Sequence, residues 1–246
     1  MANLTGEERS NYVRNMFSQI AERYDLMNRI MTFGQDTHWR AEVLQKAGLR
    51  DEALLLDLGT GTGDLAFDAG AAQPGVKTVA ADFTLDMMLI GKQRRNIDDA
   101  ATNRLFWSGA DATQLPFCDD VFDGVVSGFL LRNVNDLGRC LGEQFRVLVP
   151  GGRITTLDTT PTNSDLLAPM IHFYTHRIVP FLGDVVAGSS DAYTYLPEST
   201  EQFLAPEQLA LRLHDAGFIN VGYKRIMFDT VAIHWGTKPE EFGRVS

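Results

Sequence analysis

The chain has 246 residues, 44% of them hydrophobic and 22% charged, which is enough apolar material for one large core or two small ones and too much for a disordered polymer. Twenty-two basic residues against 32 acidic ones give a formal net charge of −10, which disfavours broad capture of nucleic acid phosphates. The two cysteines, Cys118 and Cys140, are too few for a disulfide framework and lack metal-site spacing, so both read as reduced, buried thiols of a cytoplasmic protein.

The opening MANLTGEE has no basic start followed by an apolar run, and no stretch reaches the roughly 18 apolar residues that span a bilayer. Residues 7–47 read as helical. Val13, Phe17, Ile20, Tyr24, Met27 and Ile30 recur at steps of three and four, which is one helix face. A break at Phe33-Gly34 precedes a second helix over 36–47, ended by Gly48.

From residue 53 short apolar runs alternate with helical stretches. The runs are Ala53–Leu58, Val76–Ala81, Arg104–Gly109, Phe122–Gly128 and Arg153–Leu157, with helices predicted at 64–72, 84–97 and 137–148. The last helix has Leu137, Leu141, Phe145 and Leu148 on one face and is stopped by Pro150-Gly151-Gly152. Strand and helix in series predict an α/β, doubly wound, Rossmann-like fold: a mostly parallel seven-stranded sheet with helices on both faces. Residues 160–205, rich in proline and aromatics, interrupt the alternation and read as an insertion over the carboxyl edge of the sheet. A helix at 206–216, opened by Pro206 and closed by Gly217, leads to a closing antiparallel pair at 219–226 and 228–235.

The first strand runs straight into Asp57-Leu58-Gly59-Thr60-Gly61-Thr62-Gly63-Asp64. Glycines at alternate positions permit a tight turn and close approach of a ligand to the backbone. A strand before, a helix after, and Asp82 ending the next strand fit a nucleoside-containing ligand lying across the strand ends, with the Asp82 carboxylate on both ribose hydroxyls. The loop is GxGxG, not GxGxxG, and Asp57 would repel a pyrophosphate but suit a cationic amino acid moiety. That favours S-adenosylmethionine over NAD. The third strand ends in Gly109-Ala110-Asp111-Ala112, followed by Leu115-Pro116-Phe117, which offers a carboxylate for an adenine amino group and an apolar wall. Each acid alone also reads as a strand-end cap; three at successive strand ends beside a glycine loop point to binding.

With these motifs in place, the chain resembles the class I S-adenosylmethionine-dependent methyltransferases, and among them the C-methyltransferases of ubiquinone and menaquinone biosynthesis. The resemblance runs over nearly the whole chain: VRNMFSQIAERYDLMN from Val13, DLGTGTGDLA from Asp57, LPFCDDVFD from Leu115, LRNV from Leu131, FRVLVPGG from Phe145, YTYLPES from Tyr193 and VAIHWGTK from Val231. It implies a 246-residue methyltransferase domain: a helical lid over 1–50, a cofactor-binding half over 51–158, a substrate-covering insertion over 159–205, and a closing helix and strands over 206–246. It implies that Thr62, Asp82, Asp111 and Ala112 contact the cofactor beside the glycines Gly59, Gly61 and Gly63, with Tyr24 on the lid. Gly128 stands where the family carries a cofactor-contacting Ser, and LDTTPT from Leu157 stands where it carries LEFSKP. The activity implied is C-methylation of a prenylated quinol, either demethylmenaquinol or the ubiquinone precursor. The rivals are a diverged paralogue acting on another phenol and a noncatalytic cofactor-binding subunit.

A methyl group on a sulfonium is already activated, so alignment supplies most of the catalysis. A quinol ring carbon gains electron density when a neighbouring hydroxyl loses its proton, so a base helps. Asp158 at the end of strand five is one candidate, and a cap on the following turn is its other reading. Arg132 stays protonated and suits a phenolate or an ordered water; its other reading is an ion pair with Asp136. His172 and His176, spaced i, i+4, share a helix face and suit proton transfer or ordinary packing; with no third ligand evident in sequence, no metal is expected. Leu166–Gly183, LLAPMIHFYTHRIVPFLG, suits a polyprenyl tail along Phe173, Ile178, Phe181 and Leu182, or a capping helix. The partners expected are the lipophilic quinol, the inner face of a membrane touched peripherally, and a second copy of the chain. Nucleic acid is not among them, because Asn133-Val134-Asn135-Asp136 lacks the Pro-Pro-aromatic pattern of amino-methylating enzymes.

Overall fold

The computed structural model describes residues 6–94, 102–162, 167–187 and 190–240. Seven strands form one sheet in the order β3-β2-β1-β4-β5-β7-β6. They are β1 (Leu54–Leu58), β2 (Lys77–Asp82), β3 (Leu105–Gly109), β4 (Phe122–Gly128), β5 (Leu148–Thr159), β6 (Ile219–Ile226) and β7 (Val231–Thr237). The first five run parallel, and β7 lies antiparallel between β5 and β6. β1 pairs with both β2 and β4, so the order reverses there and a crevice opens beyond the carboxyl ends of these strands. The LLLDL run of β1 reads as a centre strand because both its faces are covered.

Alternation along the strands separates two cores. Leu56, Leu58, Phe122, Val125 and Ile154 share one face with α6 (Leu137–Val147) and α10 (Pro206–Asp215). Leu55, Val126, Leu157 and Ile233 share the other with α3 (Asp36–Ala47) and α4 (Asp64–Ala72). A third cluster joins α1 (Gly6–Ile20) and α2 (Tyr24–Met31) to the insertion through Met16, Ile20, Met27, Val179, Tyr193 and Tyr195.

Five details differ from expectation. The N-terminal helix is not continuous: a 3-10 turn at Ala21–Arg23 separates α1 from α2. The helix expected at 84–97 is α5, Leu85–Gln93, and residues 95–101 lie outside the described ones. β5 starts at Leu148 and carries Pro150-Gly151-Gly152 inside it, because Gly151 at φ +80 donates its N–H to Lys238 O (3.0 Å) and Lys238 N–H returns to Gly152 O (2.8 Å). The closing strand begins at Val231, not 228, since Met227, Phe228 and Asp229 take positive φ and make the turn. Cys140 is buried, but Cys118 is exposed, in the turn before β4.

The insertion is helical: α7 (Ala168–Phe173), a wide turn at Tyr174–Ile178, α8 (Val179–Leu182), a second wide turn at Gly183–Ala187, and α9 (Ser190–Glu201). Pro180 has no N–H for the preceding turn, and the π-type widening accommodates that loss. Leu166 lies outside the described residues. Among the described residues no helix is long and apolar enough to cross a membrane.

Candidate active site

The glycine loop leaves β1 at the crevice. Gly59 N–H and Thr60 N–H both donate to Ala81 O of β2, at 2.8 and 3.0 Å. Gly59 sits at φ +69, and a Cβ there would lie 2.8 Å from Leu130 Cδ1, so only glycine meets both the backbone and the space. Asp57 is 1% exposed; Thr60 Oγ1 donates to its Oδ2 at 2.5 Å, while Oδ1 has no partner. Burial pushes Asp57 up to about 7, against the Thr60 hydrogen bond and with the neighbouring Asp82 charge. Asp82 accepts from Gly61 N–H (2.8 Å) and Thr84 N–H (2.7 Å), and burial outweighs these bonds and raises it too.

A cavity of about 230 Å³ runs over this loop, lined by Gly61, Asp82, Phe83, Asp111, Ala112 and Leu130. A smaller one of about 70 Å³ adjoins it, with Asp57, Thr60, Thr62 and Arg40 in its wall. Tyr24, Gly59, Gly61 and Gly128 line both. Gly63 lines neither: it caps α4 at φ +91, and a Cβ would meet the Trp107 ring at 2.7 Å. Asp111 uses Oδ1 to accept from Thr113 N–H and Oγ1, at 2.8 and 2.7 Å. The lining is compatible with S-adenosylmethionine: glycines that leave room against the backbone, the Asp82 and Asp111 carboxylates that could meet ribose and adenine, and an unsatisfied Asp57 oxygen that could accept an ammonium.

A third cavity, about 320 Å³ and mainly apolar, lies between α1, α2 and the insertion, walled by Met16, Ile20, Met31, Ile171, Val179 and Tyr193. It shares Phe17, Tyr24, Phe129 and Asn133 with the cavity over the glycine loop. Burial raises the Tyr24 hydroxyl, opposed by its hydrogen bond with Asn28 and the nearby Arg132. The polar end of the apolar cavity is Arg132. Its Nη1 donates to Asp158 Oδ1 at 2.6 Å, with the two side chains 6% and 2% exposed, and its Nε is buried without a partner. Arg132 therefore pairs with Asp158, not Asp136, which caps α6 by accepting from Arg139 N–H at 2.9 Å. Both Asp158 oxygens are engaged, since Arg132 N–H (3.1 Å) and Thr159 N–H (2.8 Å) also donate to them. The bend that presents Arg132 depends on Phe129, held at φ +58 by its N–H to Leu157 O at 2.7 Å.

His172 and His176 stand at the outer rim, 67% and 29% exposed, beside Glu201 of α9; only His172 of the two lines the cavity. Thus the structure gathers Tyr24, Asp57, Gly59, Gly61, Thr62, Asp82, Asp111, Ala112 and Gly128 around one crevice. It sets the buried Arg132–Asp158 pair at the polar end of the apolar cavity, and leaves both histidines out of the crevice, with His172 alone of the two bordering the apolar cavity. Sequence reasoning missed the latch between α2 and the loop, in which Thr62 Oγ1 donates to Asp25 Oδ1 at 2.6 Å and Arg94 pairs with the same carboxylate at 2.9 Å. It also missed Asn133, which accepts from the Tyr195 hydroxyl at 3.3 Å. Asp25 and Asn133 lie inside YDLMN and LRNV, so their motifs held the signal; Glu201 had none.

The profile of the ubiE/COQ5 methyltransferase family matches residues 5–238. A ubiquinone/menaquinone biosynthesis C-methyltransferase of Desulfotalea psychrophila is 43% identical over 226 residues, covering 92% of this chain and 90% of that protein. A demethylmenaquinone methyltransferase of Thermus thermophilus is 42% identical over 224 residues, covering 91% and 100%. Among solved structures, a phosphoethanolamine N-methyltransferase of Haemonchus contortus in complex with S-adenosyl-L-methionine superposes with TM-score 0.63 at 15% identity, covering 82% of this chain and 53% of that one. A possible histamine N-methyltransferase of Thermotoga maritima gives TM-score 0.61 at 18% identity, covering 91% and 98%. These distant likenesses concern the fold.

Proposed function

We propose, from the premise that the chain belongs to the ubiE/COQ5 methyltransferase family and so is an S-adenosylmethionine-dependent methyltransferase, that its apolar cavity receives a prenylated quinol for C-methylation at the Arg132 end. The relatives' names, ubiquinone/menaquinone biosynthesis C-methyltransferase and demethylmenaquinone methyltransferase, support an acceptor of this quinone-precursor class. One observation carries the assignment of parts: an apolar cavity ends on a buried Arg–Asp pair and shares Tyr24, Phe129 and Asn133 with the polar cavity over the glycine loop.

In this reading Asp57, Asp82, Asp111 and the loop hold S-adenosylmethionine, which supplies a methyl group on a positively charged sulfur. The quinol head lies against Arg132, and its tail runs between Ile20, Met31, Ile171 and Val179. Arg132 Nε–H, free of internal partners, donates to the ionising hydroxyl and stabilises its negative charge in a water-poor wall. Asp158, with both oxygens already engaged by three donors, is a positioning residue that fixes the guanidinium. The hydroxyl proton leaves to water ordered by Arg132. Held by the glycine loop and the three carboxylates, S-adenosylmethionine would supply its methyl group to the adjacent ring carbon, and the ring hydrogen, lost as a proton, would pass to the water that Arg132 orders. Tyr24 and Phe129 align the ring with the cofactor cavity, where proximity does most of the work.

The outer side of the insertion exposes Met170, Phe173, Phe181 and Val185 by more than half, and Phe33, stacked on Tyr174 at 6.0 Å, extends the same surface. This apolar rim beside the cavity mouth is proposed to rest on a bilayer through hydrophobic contact, since a net charge of −10 brings no electrostatic attraction to anionic lipid.

The decisive experiment is incubation of the purified protein with methyl-labelled S-adenosylmethionine and reduced short-chain demethylquinols, with mass analysis of products. A carbon-methylated quinol is the expected result. Bound cofactor with untouched quinols and a methylated soluble phenol would assign the acceptor instead to the paralogue reading, through Gly128–Leu130 and Asp158–Thr162.

A further inference from the structure

We propose that His172, His176 and Glu201 form a binding site for a zinc-like divalent transition metal, which clips α7 and its following turn to α9 at the mouth of the apolar cavity. The two histidines come from one turn of helix and the glutamate from a segment 25 residues on, and one ligand atom from each lies within 4.8 Å of the other two. The site stands independently of which acceptor is methylated.

Three features make this a ligand set instead of a chance surface cluster. The first is spacing. In a tetrahedral zinc site with bonds of about 2.0–2.1 Å, ligand atoms lie about 3.3 Å apart. His176 Nε2 is 3.3 Å from Glu201 Oε1, and His172 Nδ1 is 3.9 Å from the same oxygen, so a small rotation of one exposed ring completes the geometry. The imidazoles are already side by side, with ring centroids 3.9 Å apart.

The second is tautomer. His176 Nδ1 lies 3.2 Å from His172 O and 3.1 Å from Thr175 Oγ1, and the Thr175 hydroxyl itself donates to Ile171 O at 3.0 Å. Since a carbonyl can only accept, the Nδ1–H tautomer suits this contact, and in it the Nε2 lone pair is free for a metal, with the backbone carbonyl as the outer partner that fixes the ring. The third is charge. Glu201 pairs with no lysine or arginine among the described residues; its ion-pair neighbours are the two imidazoles. Two imidazoles and one carboxylate are donor chemistry that zinc takes, with a water filling the fourth, solvent-facing position.

The consequence is mechanical. His172 and Glu201 both border the apolar cavity, so a metal tying them fixes the separation of two of its walls where a long acceptor enters.

The test is calorimetric titration of tag-free, chelator-treated protein with Zn²⁺, paralleled by Co²⁺ monitored through its visible absorption, and hydrogen exchange over 168–201. The expected result is one equivalent, a four-coordinate cobalt spectrum without thiolate charge transfer, and slower exchange in the metal-loaded protein. His172→Ala, His176→Ala and Glu201→Gln each weaken binding by about tenfold or more, while Cys118→Ser leaves it intact. The side chains are exposed or half-buried, so the variants fold, and circular dichroism verifies it. Binding weaker than about millimolar, or full binding in the His172→Ala/His176→Ala double variant, overturns the proposal and leaves a hydrogen-bonded His–Glu cluster.

Discussion

Replacing Asp158 by Asn separates the two roles assigned to the Arg132 pair. The guanidinium is 6% exposed and its 2.6 Å partner 2% exposed, so removing the anion leaves a cation in the interior with only neutral acceptors. Breaking a buried pair costs about 3–5 kcal/mol, and the retained amide oxygen puts Asp158→Asn near about 3. For a domain of this size each kcal/mol shifts the melting temperature by about 2–4 °C, so a fall of roughly 6–12 °C follows. Loss of a fixed guanidinium lowers kcat by about 10²–10³, as for other preorganised anion-stabilising donors, with KM for S-adenosylmethionine unchanged. The second variant, Asp158→Asn with Arg132→Met, removes the stranded charge. Because buried pairs are often replaceable by apolar groups at little net cost, it regains most of the lost melting temperature but none of the activity. Calorimetry and a labelled methyl-transfer assay with quinol read the two outcomes. An Asp158→Asn protein that melts within about 1 °C of the parent, or an active double variant, would refute the assignment.

Burial keeps Asp57 protonated up to about 7, so the affinity for S-adenosylhomocysteine, which carries the same amino acid end, should rise by up to roughly tenfold per pH unit between pH 5 and 7 and then level off. Asp57→Asn flattens that profile. Without cofactor the sign reverses: the folded protein holds the Asp57 proton more tightly than the unfolded chain at 3.8, so stability falls as pH rises from 3.8 to about 7, which urea titrations at several pH values will show. Gly59→Ala places a Cβ 2.8 Å from Leu130 Cδ1 at φ +69; fluorescence titration should show at least about tenfold weaker cofactor binding, partly restored by Leu130→Ala, in line with about 1–2 kcal/mol for the left-handed backbone plus the clash. Phe173→Ser with Phe181→Ser should abolish co-flotation with neutral phosphatidylcholine vesicles without altering the melting curve. If flotation persists, the apolar rim is not the membrane contact, and a change in sedimentation on substitution would identify it as the seat of a second copy instead.

The sheet was legible because its signals are local. The LLLDL of β1 and the FDGVVSG of β4 are apolar runs bounded by turn residues; β4 has the bounds expected, and β1 starts one residue later, at Leu54 instead of Ala53. Errors came where a distant partner decides. Pro150-Gly151-Gly152 reads as a full stop, yet Lys238, 87 positions on, hydrogen-bonds both glycines into the sheet. The candidate site divides the same way. Asp57, Asp82 and Asp111 are named by their places at strand ends, whereas the choice between Asp136 and Asp158 for Arg132 depends on the positive φ of Phe129, which no pattern of residue types announces. Glu201 was invisible for a further reason: α9 is positioned by Tyr193 and Tyr195 in the third core cluster, and only that packing brings its last residue to the histidines.

The party wall between the two cavities has a consequence for how such a protein diversifies. Tyr24, Phe129 and Asn133 face both rooms, so under the proposed assignment a change there disturbs donor and acceptor together and is penalised twice. Met31, Ile171 and Val179 face the apolar room alone. Drift in acceptor preference, whether natural or directed in the laboratory, is channelled onto those outer residues and onto Thr159–Thr162, while the shared wall stays fixed as the frame that keeps any acceptor in line with the same methyl donor.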